Sequence, residues 1–324
     1  MAPVLAFDIE TIPDVAGLRL LRGGDPGQSD AEVYAAEIAE RAARNKSDFM
    51  PLHLQRVLVI SCVFRGSQGL RVRSFVDLER EGRSEEGEVI QSFFDRVDDH
   101  RPQLVSWNGG GFDLPVLHYR ALRHGVVAPK YWDMGEDDRD FRYNHYIGRY
   151  HLRHLDLMDL LSMYQPRASA PLDALAKLCG FPGKLGMDGS QVYGAYLEGR
   201  TDEIRRYCET DAMNTYLLYC RFQMMRGGFT EAEYAREIVH VRASLAAIDE
   251  PHWREYLSAW PIDPAEAASA AQPPLFAEPP ADPSRDPTAE PLFAAPVAAV
   301  VETTVEKTVQ TTTEVYIDSS SIRS

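Results

Sequence analysis

The chain has 324 residues, of which only four are cysteine, and no stretch approaches 18 consecutive apolar residues. The cysteines form no C-x-x-C pair and no framework of the kind that secreted domains use, so we expect a reducing compartment. The N-terminus lacks the basic region and the long apolar core of a signal peptide, and no segment has the composition of a membrane helix. These absences predict a soluble, cytoplasmic protein.

The chain also has fewer basic than acidic residues. The chain has 34 lysines and arginines against 49 acids, a formal net charge of −15. From Ala265 onward there are nine acids and three bases, a net −6 that leaves −9 for residues 1–264. A protein that covers a long stretch of duplex presents a basic surface. The charge argues against such a surface.

The first predicted strand carries two acids in an otherwise apolar run. Side chains alternate along a strand, so Asp8 and Glu10 share one face while Phe7 and Ile9 lie on the other. Two carboxylates on one face of a buried strand repel each other and are costly to desolvate. Either the strand end has reached solvent, or a hard cation such as magnesium neutralises the pair.

Two further stretches place acids where a site would need them. Residues 104–113 predict a short strand, a glycine-rich turn and a helix that starts near Asp113. Alone, Asp113 is equally an ordinary helix N-cap. Tyr207 and Asp211 are four residues apart in a helical pattern at about 201–222, so they share one helix face. Alone, they could equally be a pair on the protein surface without a role in a site.

Together these stretches resemble the three signature motifs of DEDDy-type 3'-5' exonucleases, in the order that this family has them. Asp8 and Glu10 in Phe-Asp-Ile-Glu-Thr match the first motif, Asn108 to Asp113 the second, and Tyr207-x3-Asp211 the third. More closely, the chain resembles the predicted stand-alone exonucleases related to the proofreading domain of family B DNA polymerases. The resemblance covers roughly residues 1–225.

The resemblance implies an α/β fold of the ribonuclease H-like type, with a mixed five-stranded sheet flanked by helices. We expect an exonuclease domain at residues 1–264, with an insertion at about 14–55 that overhangs the site. Residues 265–324 are rich in Pro, Ala, Thr and acids, and they lack the apolar content to fold alone. They are predicted to form a disordered tail.

The resemblance also implies a two-metal-ion mechanism with Mg2+ or Mn2+. Asp8, Glu10 and Asp211 would hold the ion that activates water, and Asp8 would bridge to a second ion. Asp113 would support that second ion, and the products would be 5'-mononucleotides. Tyr207 would align the attacking water, because a phenol with a pKa near 10 is a poor general base at neutral pH.

The substrate implied is a single-stranded 3' end, with DNA favoured and a role in DNA repair or replication. Two alternatives stay open: a 3'-5' exoribonuclease of the same superfamily, since nothing here identifies a contact to the 2'-OH, and a non-catalytic module that binds nucleic acid ends. The presence of all four acids and the tyrosine argues against the latter.

Candidate substrate contacts come from three regions. In residues 131–154 aromatic rings alternate with arginines, a composition that suits the binding of single-stranded nucleic acid. From this segment we select Tyr143 and Tyr146 as the residues that stack on bases. Lys184, on a glycine-rich loop that lacks the spacing of a phosphate loop, could meet a substrate phosphate. Three residues of the first two motifs complete the set: Thr11, Asn108 and Phe112. Asp156 is predicted to cap the helix at about 157–164.

The tail contains Gln272-Pro273-Pro274-Leu275-Phe276, which resembles the Q-x-x-L-F peptide by which bacterial replication and repair proteins bind the DNA sliding clamp. Leu275 and Phe276 are large apolar side chains in a polar, proline-rich segment. The prolines pre-extend the peptide and lower the cost of ordering it. Tethering through Gln272, Leu275 and Phe276 would raise the effective concentration of an acidic domain at DNA.

If this segment binds the clamp, the double variant Leu275→Ala/Phe276→Ala should lose binding, because the two apolar anchors are removed. A titration against purified clamp compares the variant with the wild type. Equal binding by both proteins, or no binding by the wild type, would eliminate the clamp hypothesis.

Overall fold

The computed structural model describes residues 3–23, 27–79 and 83–261. The predicted disordered tail and its candidate clamp-binding residues Gln272, Leu275 and Phe276 lie outside the described residues. Within the described ranges, no helix combines the length and the apolar composition that crossing a bilayer requires.

A mixed five-stranded sheet forms the centre of the molecule, with strand order β3-β2-β1-β4-β5. β2 runs antiparallel to both β1 and β3, while β4 is parallel to β1 and β5 is parallel to β4. This is the ribonuclease H-like sheet expected from the sequence. The strands are β1 Val4–Pro13, β2 Gln55–Gly66, β3 Gly69–Val76, β4 Gln103–Ser106 and β5 His154–Asp156.

Helices cover both faces of this sheet. The predicted helices from Asp30 onward are all found, with ends that differ from the expectation by a few residues. The helices are α1 Val15–Arg22, α2 Asp30–Ala43, α3 Glu86–His100, α4 Asp113–His124, α5 Pro129–Trp132, α6 Leu157–Leu161, α7 Leu172–Leu178, α8 Val192–Leu197, α9 Thr201–Met225, α10 Glu231–Ala246 and α11 Pro251–Ala259.

The alternation of side chains in β1 divides the core into two halves. Val4 and Ala6 belong to the half formed with α9, α10 and α11. Leu5, Phe7 and Ile9 belong to the half formed with α3 and α4. Because the period of a strand is two, the acids at positions 8 and 10 continue the Val4 and Ala6 face and point toward α9.

The pairing register between β1 and β2 shifts directly after Glu10. Glu10 pairs with Val59, but the next residue, Thr11, pairs with Val57. A bulge of this kind bends a strand and re-aims its side chains, and such bulges are over-represented next to active sites. Here it directly follows the second acid of the first motif.

The insertion predicted at about 14–55 contains α1, α2 and a small apolar cluster of Leu18, Met50 and Leu54. Ser29 caps α2 through a reciprocal capping box with Glu32. At the end of the insertion, the ring of Phe49 lies 5.7 Å from that of Phe112, between ring centroids. The insertion therefore contacts the second motif.

A buried ion cluster joins α4 to the insertion and to α3. Arg120 donates to Glu86 Oε1 at 2.7 Å through Nε, and its other nitrogens reach Glu86 and Asp14. All three side chains are almost fully buried. Burial by itself would raise the pKa of Glu86, but hydrogen bonds from His124 and Arg120 hold it down at about 2. The Glu86 carboxylate therefore stays ionised, and Arg120 is one of the groups that stabilise it.

Replacing Arg120 by Met should lower the free energy of unfolding by about 3–5 kcal/mol, because two buried carboxylates would each lose their one buried cationic partner among the described residues and keep only partly exposed ones. The control is Arg44→Met, which breaks an exposed pair with Glu40 in α2 and should cost less than about 1 kcal/mol. Denaturant unfolding measures both values. A loss for Arg120→Met as small as for the control would contradict this account of the cluster.

Candidate active site

The three predicted motifs meet at the carboxyl end of β1 and β4. Asp8 and Glu10 come from β1, Asp113 from the first turn of α4, and Tyr207 and Asp211 from α9. Glu10, Asp113, Tyr207 and Asp211 are buried, the most accessible being Glu10 at 7% exposure. β1 packs directly against α9. Residues more than 200 positions apart in the sequence thus form one acidic site.

Burial and mutual repulsion dominate the electrostatics of this site. Desolvation raises the pKa of Asp8 and Glu10 well above their ordinary values, and the neighbouring carboxylates raise them further. Burial also raises the pKa of Asp211, although the Lys184 ammonium opposes the shift. For Asp113, burial raises the pKa to about 7. Without a cation, the four carboxylates destabilise one another.

Asp113 is not the N-cap of α4, which was the alternative to a role in the site. The cap position is Phe112, whose side chain makes no capping bond, and Asp113 is the first helical residue. There it benefits from the helix dipole, and a backbone hydrogen bond from Ile9 in β1 lowers its pKa in part. Asp113 thus faces the strand that carries Asp8 and Glu10.

Lys184 is the only described cation that forms an ion pair with one of these four acids. Its Nζ lies 3.1 Å from Asp211 Oδ2, donates to the Tyr207 hydroxyl and lies 4.8 Å from the centroid of that ring. Burial disfavours the ammonium, but the carboxylates of Asp211, Asp8 and Glu10 outweigh it and raise the pKa of Lys184. The glycine-rich loop therefore delivers a permanent positive charge to the site.

The loop that carries Lys184 is tied down at two points. The backbone N–H of Lys184 donates to Asp173 Oδ1 at 2.7 Å, and Asn214 of α9 donates to the carbonyl of Gly183 at 2.9 Å. Gly183 has φ +72°, and a Cβ there would lie 2.5 Å from the Asp173 carboxylate. A residue other than glycine would push the loop, and Lys184 with it, out of place.

Tyr207 is a hydrogen-bonding group and not a base. Burial raises the pKa of its hydroxyl above the ordinary value, and the nearby Asp211, Glu10 and Asp8 carboxylates raise it further. The phenol therefore stays protonated at all physiological pH values. It can donate one hydrogen bond and accept others, which suits the positioning of a water molecule.

A buried polar network holds α9 against the sheet behind the acids. Cys208 donates to the backbone carbonyl of Asp8 at 3.3 Å. One residue further, Glu209 accepts from Ser74 of β3 at 2.7 Å and from Arg205 at 2.7 Å, and it bonds His252 of α11 at 2.8 Å. This network fixes the rotation of α9 and so the direction of Tyr207 and Asp211.

The turn of the second motif is shaped by Asp156 at the end of β5. Its carboxylate accepts from the backbone N–H of Asn108 at 3.0 Å and of Gly110 at 2.8 Å. It also caps α6 as predicted, by accepting from Asp159 N. A Cβ on Gly109 would lie 2.2 Å from Ser106 Oγ, so only glycine fits there. The sequence pattern predicted the cap but not the bonds to the turn.

Three of the candidate substrate contacts lie beside the acids. Thr11 follows Glu10, and its hydroxyl donates to Gln55 at 3.0 Å. Asn108 is exposed with φ +68°, and Phe112 is partly buried next to Asp113. Their contact with substrate stays a prediction.

The choice of Tyr146 as a stacking residue is wrong. Tyr146 is 1% exposed, stacks on Tyr131 with centroids 5.3 Å apart and donates to the carbonyl of Pro102 at 2.8 Å. A ring enclosed in this way has no free face for a base. Tyr143 is 82% exposed, and its role stays a prediction.

The donor set fits a hard divalent cation. Ligand atoms of Asp8 and Glu10 lie within 4.8 Å of each other and of the Cys208 sulfur. Burial raises the pKa of that thiol, so it stays protonated and the two carboxylates are the ligands that suit a hard ion. Asp211 Oδ1 is buried and has no hydrogen-bond partner within the described part of the chain. A buried carboxylate oxygen without a partner is costly, and an ion between β1 and α9 would satisfy it. Carboxylate oxygens are what Mg2+ and Mn2+ prefer.

A family model described as a predicted 3'-5' exonuclease related to the exonuclease domain of PolB matches residues 47–260. The chain belongs to this family. The match covers Asp113, Tyr207 and Asp211, and it begins after Asp8 and Glu10. Nuclease function on a nucleic acid is therefore the activity that the family implies.

No curated protein matches the chain. Among solved structures, the chain is similar to the family B DNA polymerase from the hyperthermophilic archaeon Pyrobaculum calidifontis, with 18% identity and a TM-score of 0.42. The similarity covers 84% of this chain and 27% of the polymerase. The chain therefore spans only about a quarter of that protein.

Adding Mg2+ or Mn2+ should stabilise the wild type by about 2.7 kcal/mol at a hundredfold excess over its Kd. Asp8→Asn should unfold at the same or a higher temperature without metal, because one repelling charge is removed, and its response to metal should shrink. Asp249→Asn, an exposed acid at the end of α10, should behave as the wild type. Differential scanning calorimetry measures the shifts, and an undiminished metal response of Asp8→Asn would contradict the assignment.

Proposed function

We propose that this chain is a metal-dependent 3'-5' exonuclease that removes 5'-mononucleotides from single-stranded ends, with DNA as the favoured substrate. One observation carries the proposal. Four acids and a tyrosine from three distant segments converge on a buried site, and the rest of the fold is built to hold them there. A non-catalytic end-binding module would not require such a costly cluster.

The site would hold two divalent ions, Mg2+ or Mn2+. Asp8, Glu10 and Asp211 are the proposed ligands of one ion, with Asp8 shared with a second ion that Asp113 supports. When bound, such ions lower the pKa of a water molecule and neutralise charge on the attacking and leaving oxygens of an in-line displacement.

The chain's own side chains would orient the attacking water and stabilise the negative charge of the substrate phosphate. Tyr207 stays protonated, so its hydroxyl would position the attacking water and take no proton from it. Lys184, which bonds both Tyr207 and Asp211, would offer its ammonium to a phosphate oxygen when substrate arrives. Its charge would also moderate the repulsion among the acids when no ion is bound.

Charge and family support a single-stranded substrate. The net charge of −15 argues against the broad basic surface that a duplex needs, and the matched family is described as related to the exonuclease domain of PolB. We assign the exonuclease unit to residues 1–264 in a cytoplasmic protein of DNA repair or replication. The tail would supply the tether to DNA through the sliding clamp.

The test is hydrolysis of end-labelled single-stranded DNA and RNA, with Mg2+, with Mn2+ and with a chelator. We expect ladders of products that shorten from the 3' end, only with metal and faster on DNA. Faster cleavage of RNA would replace the DNA assignment by the exoribonuclease alternative. Absence of cleavage on either strand under all conditions would refute the proposed function.

Variants assign the roles in the same assay. Asp8→Asn and Asp211→Asn should abolish activity, because each removes a proposed metal ligand. Tyr207→Phe should lose about 10²-fold, since misplacing a reactant is costly but the ligands remain. Asp249→Asn serves as the exposed-acid control. Wild-type turnover by Asp8→Asn would remove the first motif from the mechanism, and full activity of Tyr207→Phe would remove the tyrosine.

A further inference from the structure

An open cavity adjoins the acidic site at the glycine-rich turn of the second motif. Its volume is about 870 Å³, within the range of about 300–1,000 Å³ that is typical of small-molecule sites. Gly110 and Gly111 line it, three and two positions before Asp113, respectively. The opposite wall comes from the segment between Arg149 and Tyr164. A strand end bound at the acids would have this cavity beside it.

The mouth of the cavity presents two aromatic rings and one guanidinium. The rings of Tyr150 and Tyr164 meet edge to face, with centroids 5.0 Å apart. The guanidinium of Arg149 lies 5.2 Å from the centroid of the Tyr164 ring. Tyr150 is 73% exposed, so part of its ring surface is free.

The backbone is strained at the point that presents Tyr164. Met163 and Tyr164, directly after α6, have φ values of +53° and +60°. Two consecutive bulky residues in the left-handed region are unfavourable. The backbone N–H of Tyr164 donates to the carbonyl of Asp159 at 2.7 Å, which holds this conformation in place. Strain of this kind persists where the surrounding structure imposes it, and it is concentrated at binding sites.

The charges at the cavity fit a nucleobase better than a phosphate. Arg149 is paired with Asp159 at 3.2 Å, and the carboxylate of Asp156 is occupied by backbone N–H groups. Arg149 therefore does not offer an unpaired positive charge to a phosphate. The carboxylates of Asp156 and Asp159 would repel one. The interior is largely apolar, with Leu114, Pro115, Ile147 and Met158 among its walls.

We propose that this cavity is a base-binding subsite, in which Tyr150 stacks on a base of the single strand whose 3' end lies at the acids, while the Tyr164 ring, inclined by 80° to it, supports Tyr150. Every base has a π face, so the subsite would be tolerant of sequence, and a base held in a duplex could not enter it. The inference rests on the proposed function and moves the stacking role from the enclosed Tyr146 to Tyr150.

The experiment measures the affinity for a labelled single strand whose last three linkages are phosphorothioates, in Mg2+, by fluorescence anisotropy. Tyr150→Ala should weaken binding by about 5- to 150-fold, the loss of one base stack, and Tyr150→Phe should restore it. The control is Tyr119→Ala, which removes a tyrosine that is 51% exposed and lies outside the cavity lining, and which should bind as the wild type. Since Tyr150 is exposed, its removal should leave the melting temperature unchanged.

A second strand, with abasic residues in place of its last three bases, separates stacking from other effects. The wild type should bind it more weakly than the normal strand, and Tyr150→Ala should bind both alike. Equal affinity of wild type and Tyr150→Ala for the normal strand would overturn the subsite while leaving the nuclease assignment intact. Equal losses in Tyr150→Ala and Tyr119→Ala would also overturn it. No binding by the wild type, together with no cleavage, would overturn both proposals.

Discussion

The repulsion among four clustered carboxylates is the interaction on which the rest of this structure depends. Glu10, Asp113 and Asp211 are buried and Asp8 is partly buried, and the neighbouring acids raise the cost of ionising Asp8 and Glu10. Such a cluster is costly to keep ionised without a cation. Lys184 supplies one charge from a fixed loop, and the orphaned oxygen of Asp211 leaves a place for more.

Holding repelling groups together requires a rigid frame, and the fold provides it on both sides. On the helix side, Glu209 is bonded by Ser74, Arg205 and His252, which locks α9 to β3 and α11. On the turn side, Asp156 uses its carboxylate to shape the glycine-rich segment before Asp113. In both places a charged group outside the site satisfies backbone or side-chain donors, so these donors do not compete for the oxygens of the acids inside it.

Much of this arrangement could be predicted from the sequence. The alternation in β1 placed Asp8 and Glu10 on one face, and the spacing of Tyr207 and Asp211 placed them on one face of a helix. The partnership of Lys184 with Asp211 could not be predicted, since it depends on how a glycine-rich loop packs on α9. Aromatic composition at residues 131–154 could not separate the enclosed ring of Tyr146 from the exposed ring of Tyr150, because no clear period of two or 3.6 marks a buried face in an irregular segment.

The most direct test of the central claim is an anomalous difference map from crystals grown with Mn2+. The account predicts density at about 2.0–2.4 Å from carboxylate oxygens of Asp8, Glu10 and Asp211, with the Lys184 ammonium moved away from Asp211. Manganese bound elsewhere, with the Lys184–Asp211 ion pair intact and no peak between β1 and α9, would contradict it.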